Sequence, residues 1–296
     1  MKAALDIGVL SVIVLMMVTV GMDLEVRQFR AVAKNKTLLF LTMAAQTIIL
    51  PMLGFGLAYA MGLPPHISAG LMLVAACPIG DIANFYIMLA RANLAFSVTL
   101  NSLTILLAPA TMALVFEVYH HLLGATFEFA VPNVTIFLRL VLTVILPLLT
   151  GLAIRRVKPA FVTSHSGTLR RIVLIGIVYL LVAVILTQRE QLVAEWQQTA
   201  AAAAAFIGVA FAVGMMLAWL FRLSQDDCVT IGIGFAVRNV SIATVIAFTL
   251  LERLEYGVFA VVYFLTEVPL LLAAVGVYRK WGTLSTQRTA TTGPPS

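Results

Sequence analysis

The chain has 296 residues, of which 61% are hydrophobic and 11% charged, with a mean hydropathy of +1.04. Soluble domains carry about 25% charged residues, so a soluble globule, a disordered chain and a secreted disulfide scaffold are excluded, leaving a polytopic helical membrane protein. The net charge of +6 lies where membrane topology puts it, which argues against nucleic-acid binding, and apolar runs of 17–25 residues do not suit the alternating strands of an outer-membrane barrel.

A transmembrane helix needs about 20 apolar residues. Nine spans are predicted: 6–22, 37–60, 66–90, 94–116, 133–154, 171–187, 200–221, 227–250 and 256–278. Asp6 interrupts the first apolar run and no small-residue cleavage site follows, so it reads as a span rather than a signal peptide. The stretch 155–170 reads as the longest basic cytoplasmic loop, six alanines at 200–205 open the seventh span, and Thr283–Ser296 reads as a disordered cytoplasmic tail. Cys77 and Cys228 lie in or beside apolar segments, so neither a structural disulfide nor a thiol metal site is expected. His66, His120, His121 and His165 fall in loops or at helix ends and form no metal-binding pattern.

The distribution of basic residues tests this layout independently. With the N-terminus outside, 14 of the 19 Lys and Arg fall inside: Arg27, Arg30, Lys34, Lys36, Arg91, Arg155, Arg156, Lys158, Arg170, Arg171, Arg222, Arg279, Lys280 and Arg288. Three, Lys2, Arg189 and Arg253, fall outside. The expected orientation is N-out and C-in. Arg139 lies within a span near its end, where a long side chain snorkels to the surface, and is assigned no role.

Two spans carry related interruptions. The third contains Cys77-Pro78-Ile79-Gly80-Asp81-Ile82-Ala83-Asn84, and the eighth contains Gly232-Ile233-Gly234-Phe235-Ala236-Val237-Arg238-Asn239. Each has Ile-Gly, then a charge, then Asn. Paired discontinuous helices running in opposite directions point to a transporter site at the membrane midplane. The expected helix breaks are Pro78, Gly80, Gly232 and Gly234.

Asp81, Arg238 and Glu267 place ionisable groups near span centres, where charge is costly and faces protein or water. The simplest expectation pairs Arg238 with Asp81 across the two breaks. Glu267 is the second candidate partner, or a neutral carboxyl able to carry a proton. The expected crossover site is Asp81, Asn84, Arg238, Asn239 and Glu267. Ser97, Asn101 and Thr104 recur at i, i+4 and i+7, so they share one face of the fourth helix.

These residues resemble the bile acid:sodium symporter family. The resemblance rests on Val20-Gly21-Met22-Asp23-Leu24 with Phe29, on Gln46 through Pro51, and on Gly70-Leu71 running into Cys77-Pro78-x-Gly80-x-x-x-Asn84. It continues through Leu89-Ala90-Arg91-Ala92-Asn93-Leu94-Ala95-Phe96-Ser97-Val98 to Leu107-Ala108-Pro109. It implies an all-α transporter domain over 1–282 with inverted repeats and two broken, crossing helices. Its panel would comprise about 6–22 and 133–187, and its core about 37–116 and 200–278. It also implies sodium-site positions at Gln46, Ala83, Asn84, Ser97, Asn101, Gly234 and Arg238. Four of these depart from the family pattern: Asn101 stands where the family has Thr, Ala83 replaces Ser, Gly234 replaces the carboxylate that serves both sodium sites, and Arg238 replaces a Gln ligand. Asp81 also stands where the family has a small polar residue.

Two unit charges about 4 Å apart interact by about 4 kcal/mol at an effective dielectric of 20, so a fixed guanidinium would disfavour a sodium ion beside it. The expected function is therefore a secondary active transporter of a small organic anion, not an enzyme. It would be sodium-independent, with Arg238 as a built-in cation, and would work by alternating access in a bacterial inner membrane. The alternatives are a sodium-coupled organic anion or bile acid symporter using Asp81 and, more remotely, a non-transporting membrane sensor. No cofactor is expected beyond Na+ or H+ as a coupling ion, and the partners are a small organic anion and the lipid bilayer.

Overall fold

Lipid offers a backbone N–H or C=O no partner, so an apolar span closes its hydrogen bonds on itself as a helix. The computed structural model describes residues 2–23, 42–123, 138, 141–251 and 253–291, and their regular structure is helical apart from one isolated bridge. The helices are α1 (Lys2–Asp23), α2 (Leu50–Ala60), α3 (Pro65–Ala76), α4 (Ile82–Ala90), α5 (Leu94–Leu123) and α6 (Leu146–Val157). They continue with α7 (Pro159–Thr187), α8 (Arg189–Leu220), α9 (Gln225–Ala236), α10 (Val240–Val245) and α11 (Leu254–Thr291). Among the described residues four stretches are long and apolar enough to cross a membrane: Thr42–Ala60, Leu94–Tyr119, Arg189–Leu220 and Glu255–Lys280.

Among the described residues three π turns interrupt the ladders, at Ala45–Ile49, Val141–Ile145 and Ile246–Leu250. The first two run straight into Leu50-Pro51 and Leu146-Pro147. Proline has no N–H and its ring crowds the carbonyl four residues back, and a widened turn relieves both problems. The Pro51 carbonyl is taken by the Tyr119 hydroxyl at 2.8 Å, which ties α5 to α2.

Several expected boundaries are corrected. The stretch 155–170 is helical except at Lys158, and α8 starts at Arg189 rather than 200. Helix α11 runs through Thr291, so the tail expected to be disordered from 283 is helical to that residue. The starts expected at 37 and 133, together with Arg27, Phe29, Arg30, Lys34, Lys36 and Arg139, lie outside the described residues.

Without a hydrophobic drive between helices in lipid, close packing of small residues holds them together. Helix α1 packs on α6 and α7. A Cβ added at Gly21 would collide with the Leu148 carbonyl oxygen, and one at Gly151 with that of Val18. Helix α8 packs on α9 and α11, and a Cβ at Gly214 would lie 2.9 Å from the Gly232 Cα. One pattern recurs at an offset of 160 residues. Met61, Gly62 and Leu63 donate to the carbonyls of Leu57, Tyr59 and Ala58, just as Phe221, Arg222 and Leu223 donate to those of Leu217, Trp219 and Ala218. Gly62 and Arg222 both adopt a left-handed φ, +58° and +55°.

Candidate crossover site

The site is built where two helices stop. Pro78 cannot donate to a helix and pushes the residue before it into extended backbone; Cys77 accordingly has ψ 155° and α3 ends at Ala76. Helix α9 ends at Ala236, with Val237 extended at φ −96°, ψ 109°. The two extended segments meet as an antiparallel bridge between Ile79 and Arg238. Gly80 N–H donates to the Val237 carbonyl at 3.0 Å, and Asn239 N–H to the Pro78 carbonyl at 2.9 Å. Backbone groups freed by each break are thus satisfied by the other, which lipid requires. Only glycine fits at position 80, because a Cβ there would stand 2.7 Å from the Arg238 carbonyl oxygen.

The expected breaks are therefore half corrected. Pro78 and Gly80 lie in the first break. Gly232 and Gly234 lie inside α9, and the second break falls at Val237–Asn239. Gly232 packs against α8, where a Cβ would meet the Met215 side chain at 2.7 Å. A Cβ at Gly234 would meet only the end of the Ile79 side chain, at 3.3 Å.

The polar face of α5 lies along the first break. Ser97 Oγ donates to Asn84 Oδ1 at 2.7 Å, and Asn101 Nδ2 donates to Asp81 Oδ1 at 2.8 Å. Thr104 Oγ1 accepts from the Ile79 N–H at 3.3 Å. These three residues are the i, i+4, i+7 set of the sequence. Asn239 caps α10, its Oδ1 accepting from the Ile242 N–H at 3.0 Å. Ala83 is fully buried and adds no polar atom.

The expected pairing of Arg238 is corrected too. The guanidinium is 2% exposed, and its hydrogen bonds run from Nη2 to the carbonyls of Ala75, at 3.1 Å, and Cys77. It reaches neither Asp81 nor Glu267. Instead it covers the last carbonyls of α3, the negative end of that helix. Its Nε and Nη1 have no hydrogen-bond partner among the described residues. Glu267 is 0% exposed, and both of its carboxyl oxygens lack a hydrogen-bond partner there as well. Asp81, by contrast, is exposed, as are Phe85 and Met88 on the same face of α4.

Three tyrosines were missed by sequence reasoning. Tyr86, Tyr119 and Tyr263 are among the largest fully buried side chains. Tyr263 donates to the Ala236 carbonyl at the end of α9, while the Tyr86 hydroxyl has no partner among the described residues. The available signal was a polar hydroxyl in the middle of an apolar run, one turn before Glu267 in the case of Tyr263.

No cluster of three or more His, Cys, Asp or Glu side chains able to hold a metal ion occurs among the described residues. Tested against sodium, the two sides of the crossing differ. Around Asp81 the groups are oxygen-rich: one carboxylate, Asn84, Ser97, and a buried Asn101 Oδ1 with no hydrogen-bond partner among the described residues. Around Gln46 the unsatisfied groups are nitrogens, Gln46 Nε2 with Arg238 Nε and Nη1, and these do not fit a cation.

Residues 10–196 match the model of the sodium bile acid symporter family. The chain is 26% identical over 250 residues to a protein of Bacillus subtilis (strain 168) described as the uncharacterized sodium-dependent transporter YocS, covering 83% of this chain and 76% of that protein. It is 32% identical over 87 residues to a probable chloroplastic sodium/metabolite cotransporter, BASS2, of Oryza sativa subsp. japonica, covering 29% of this chain and 21% of the relative. It is 34% identical over 86 residues to the corresponding probable cotransporter BASS1 of Arabidopsis thaliana, covering 29% and 21%.

Proposed function

The chain belongs to the sodium bile acid symporter family, and from that membership we propose that it is a secondary transporter moving a small organic anion by alternating access, with Arg238 in place of a coupling sodium ion. The observation that carries the proposal is the position of the guanidinium, on the carbonyls of Ala75 and Cys77 at the end of α3. That end of a helix attracts cations, and here it already holds one that cannot leave. Coupling to sodium at that place is lost. The rocking bodies are a panel of α1, α6 and α7 and a core of the remaining helices, arranged as inverted repeats. The 160-residue offset between the turns after α2 and α8 supports the repeat. The setting is a bacterial inner membrane, with the N-terminus outside and the C-terminus cytoplasmic.

A second reading is favoured by Asp81. Asp81 is exposed and lies among the side-chain oxygens of Asn84, Ser97 and Asn101 beside the polar face of α5. Asp81 with Asn84, Ser97 and Asn101 would hold one coupling cation, Na+ or H+, and the chain would then be a symporter with a single ion site. Uptake into proteoliposomes separates the two. The first reading expects equal uptake in sodium and potassium, and sodium stimulation in the double variant Arg238→Gln, Gly234→Glu. Sodium-stimulated uptake by the unmodified protein, abolished in Asp81→Asn, would replace the first reading by the second.

A further inference from the structure

An apolar groove of about 210 Å3 lies where α8 stops, walled by the start of the stretch Thr42–Ala60, the last turn of α8 and one side of α9. Its floor is Ala45, Ala218, Ile231 and Phe235, all buried, and its rim is Ile48, Ile49 and Phe221, which are 61%, 37% and 42% exposed. Apart from Thr42 every lining residue is apolar, so a polar ligand would give up its hydrogen bonds to water and gain almost none. The residue after Phe221 is Arg222, exposed and just past the end of the apolar stretch Arg189–Leu220. Its φ of +55° is in the left-handed region that glycine usually fills at a helix end, and its counterpart after α2 is Gly62. A cation at a helix C-terminus is favourable in itself, but any exposed position of the last turn serves that without left-handed strain. Arg222 makes no ion pair among the described residues, and the nearby acids are engaged. Asp226 accepts from Tyr278 at 3.0 Å, and Asp227 from Asn93 at 2.8 Å and Ser224 at 2.7 Å.

We infer that this groove holds one acyl chain of an anionic phospholipid, with the lipid phosphate on Arg222. The lining decides the buried part. The exposed rim belongs to two stretches long and apolar enough to cross a membrane, so hydrocarbon is what meets it. The π turn Ala45–Ile49 supplies the long wall, which from Thr42 to Ile49 is about 10 Å at about 1.5 Å per residue. An acyl chain lying along that wall keeps apolar contact throughout, whereas a small organic anion would find no donor there. Arg222 decides the head group. It follows a groove residue in the chain and stands where the apolar stretch ends, the level at which a lipid phosphate meets water when its chain lies in the groove. A guanidinium binds phosphate through two parallel hydrogen bonds and stays charged at every accessible pH. The site is independent of which ion couples transport and uses neither Arg238 nor Asp81.

The test is the melting temperature of the purified protein in a neutral detergent, titrated with dioleoyl phosphatidylglycerol, dioleoyl phosphatidylcholine, dihexanoyl phosphatidylglycerol or inorganic phosphate. A ligand that binds only the folded state stabilises it saturably. Dioleoyl phosphatidylglycerol is expected to raise the melting temperature along a saturating curve and above dioleoyl phosphatidylcholine, while the short-chain lipid and phosphate leave it unchanged. Arg222→Gly suits the left-handed backbone and keeps the fold. Its half-saturating concentration of dioleoyl phosphatidylglycerol is expected to rise about tenfold, as for one lost charge-assisted contact. Ala44→Phe, which fills the groove, is expected to lose the response to both long-chain lipids. Arg91→Gly removes the other left-handed arginine, at φ +58° after α4, and is expected to respond as the unmodified protein does. Superimposed curves for the two long-chain lipids, a response to inorganic phosphate, or an equal loss in Arg91→Gly would overturn the site. A dimer in light scattering that Ala44→Phe dissociates would overturn it too, because a second copy of the chain would then cover the groove.

Discussion

Arg238 and Asp81 each stand between a Gly and an Asn in two related motifs, yet they meet different neighbours. Arg238 is sealed onto the end of α3, whereas Asp81 is exposed and bonded to Asn101 at 2.8 Å. Charge and hydrogen bonding can be separated at Asp81. Asp81→Asn retains an oxygen to accept from Asn101 but loses the charge, so the protein is expected to keep its melting temperature while its uptake loses any response to sodium or to pH. A large fall in melting temperature would show that the carboxylate is structural. At Ser97, removing the hydroxyl costs the 2.7 Å bond to Asn84. Hydrogen bonds of this kind contribute about 1 kcal/mol, so Ser97→Ala is expected to lower stability by about that amount in reversible unfolding.

At the scale of elements, the crossing depends on two backbones touching. Gly80→Ala places a Cβ 2.7 Å from the Arg238 carbonyl oxygen, which is held by the Val240 N–H at 2.9 Å on a backbone fixed by the bridge, so neither partner can yield. The expected outcome is loss of folded protein in detergent chromatography. Gly234→Ala meets only the flexible end of Ile79 at 3.3 Å and is expected to be tolerated. The same logic holds for α1 and α6. Gly21→Ala drives a methyl into the Leu148 carbonyl, while Gly56→Ala meets nothing within 4 Å. Overpacking costs about 1–3 kcal/mol, so Gly21→Ala is expected to lower the melting temperature and Gly56→Ala to leave it unchanged. Equal effects of the two would remove close packing as the bond between these helices.

For the whole molecule, the proposed alternating access takes the exposure of Asp81, Phe85 and Met88 beside a buried Arg238 and Glu267 as one of its two states. A mid-span carboxylate does not face hydrocarbon cheaply, so on that proposal this face of α4 opens on water. The native thiols Cys77 and Cys228 are both buried and free, and replacing them by Ala gives a clean background. A membrane-impermeant thiol reagent is expected to modify Asp81→Cys from one side of the membrane and to spare Glu267→Cys. Equal modification of both would mean that the crossing is not sealed, and alternating access about it would fail.

The membrane setting, the helical class, the interruption at Pro78–Gly80 and the shared face of Ser97, Asn101 and Thr104 were legible in the order of the residues. All of these follow from local rules: hydropathy over about 20 residues, a proline without N–H, and a helical period of 3.6. Tertiary structure alone decided the rest. The glycines of the eighth span look like a break, but Gly232 serves packing against α8, and the chain opens only at Val237 because Pro78, Ile79 and Gly80 are there to receive it. Opposite charges suggested an ion pair, but the carbonyls at the end of α3 take the hydrogen bonds of the Arg238 guanidinium. Those partners stand 163 and 161 positions away along the chain, a separation across which no periodicity carries information and only the crossing of the two helices sets the distance.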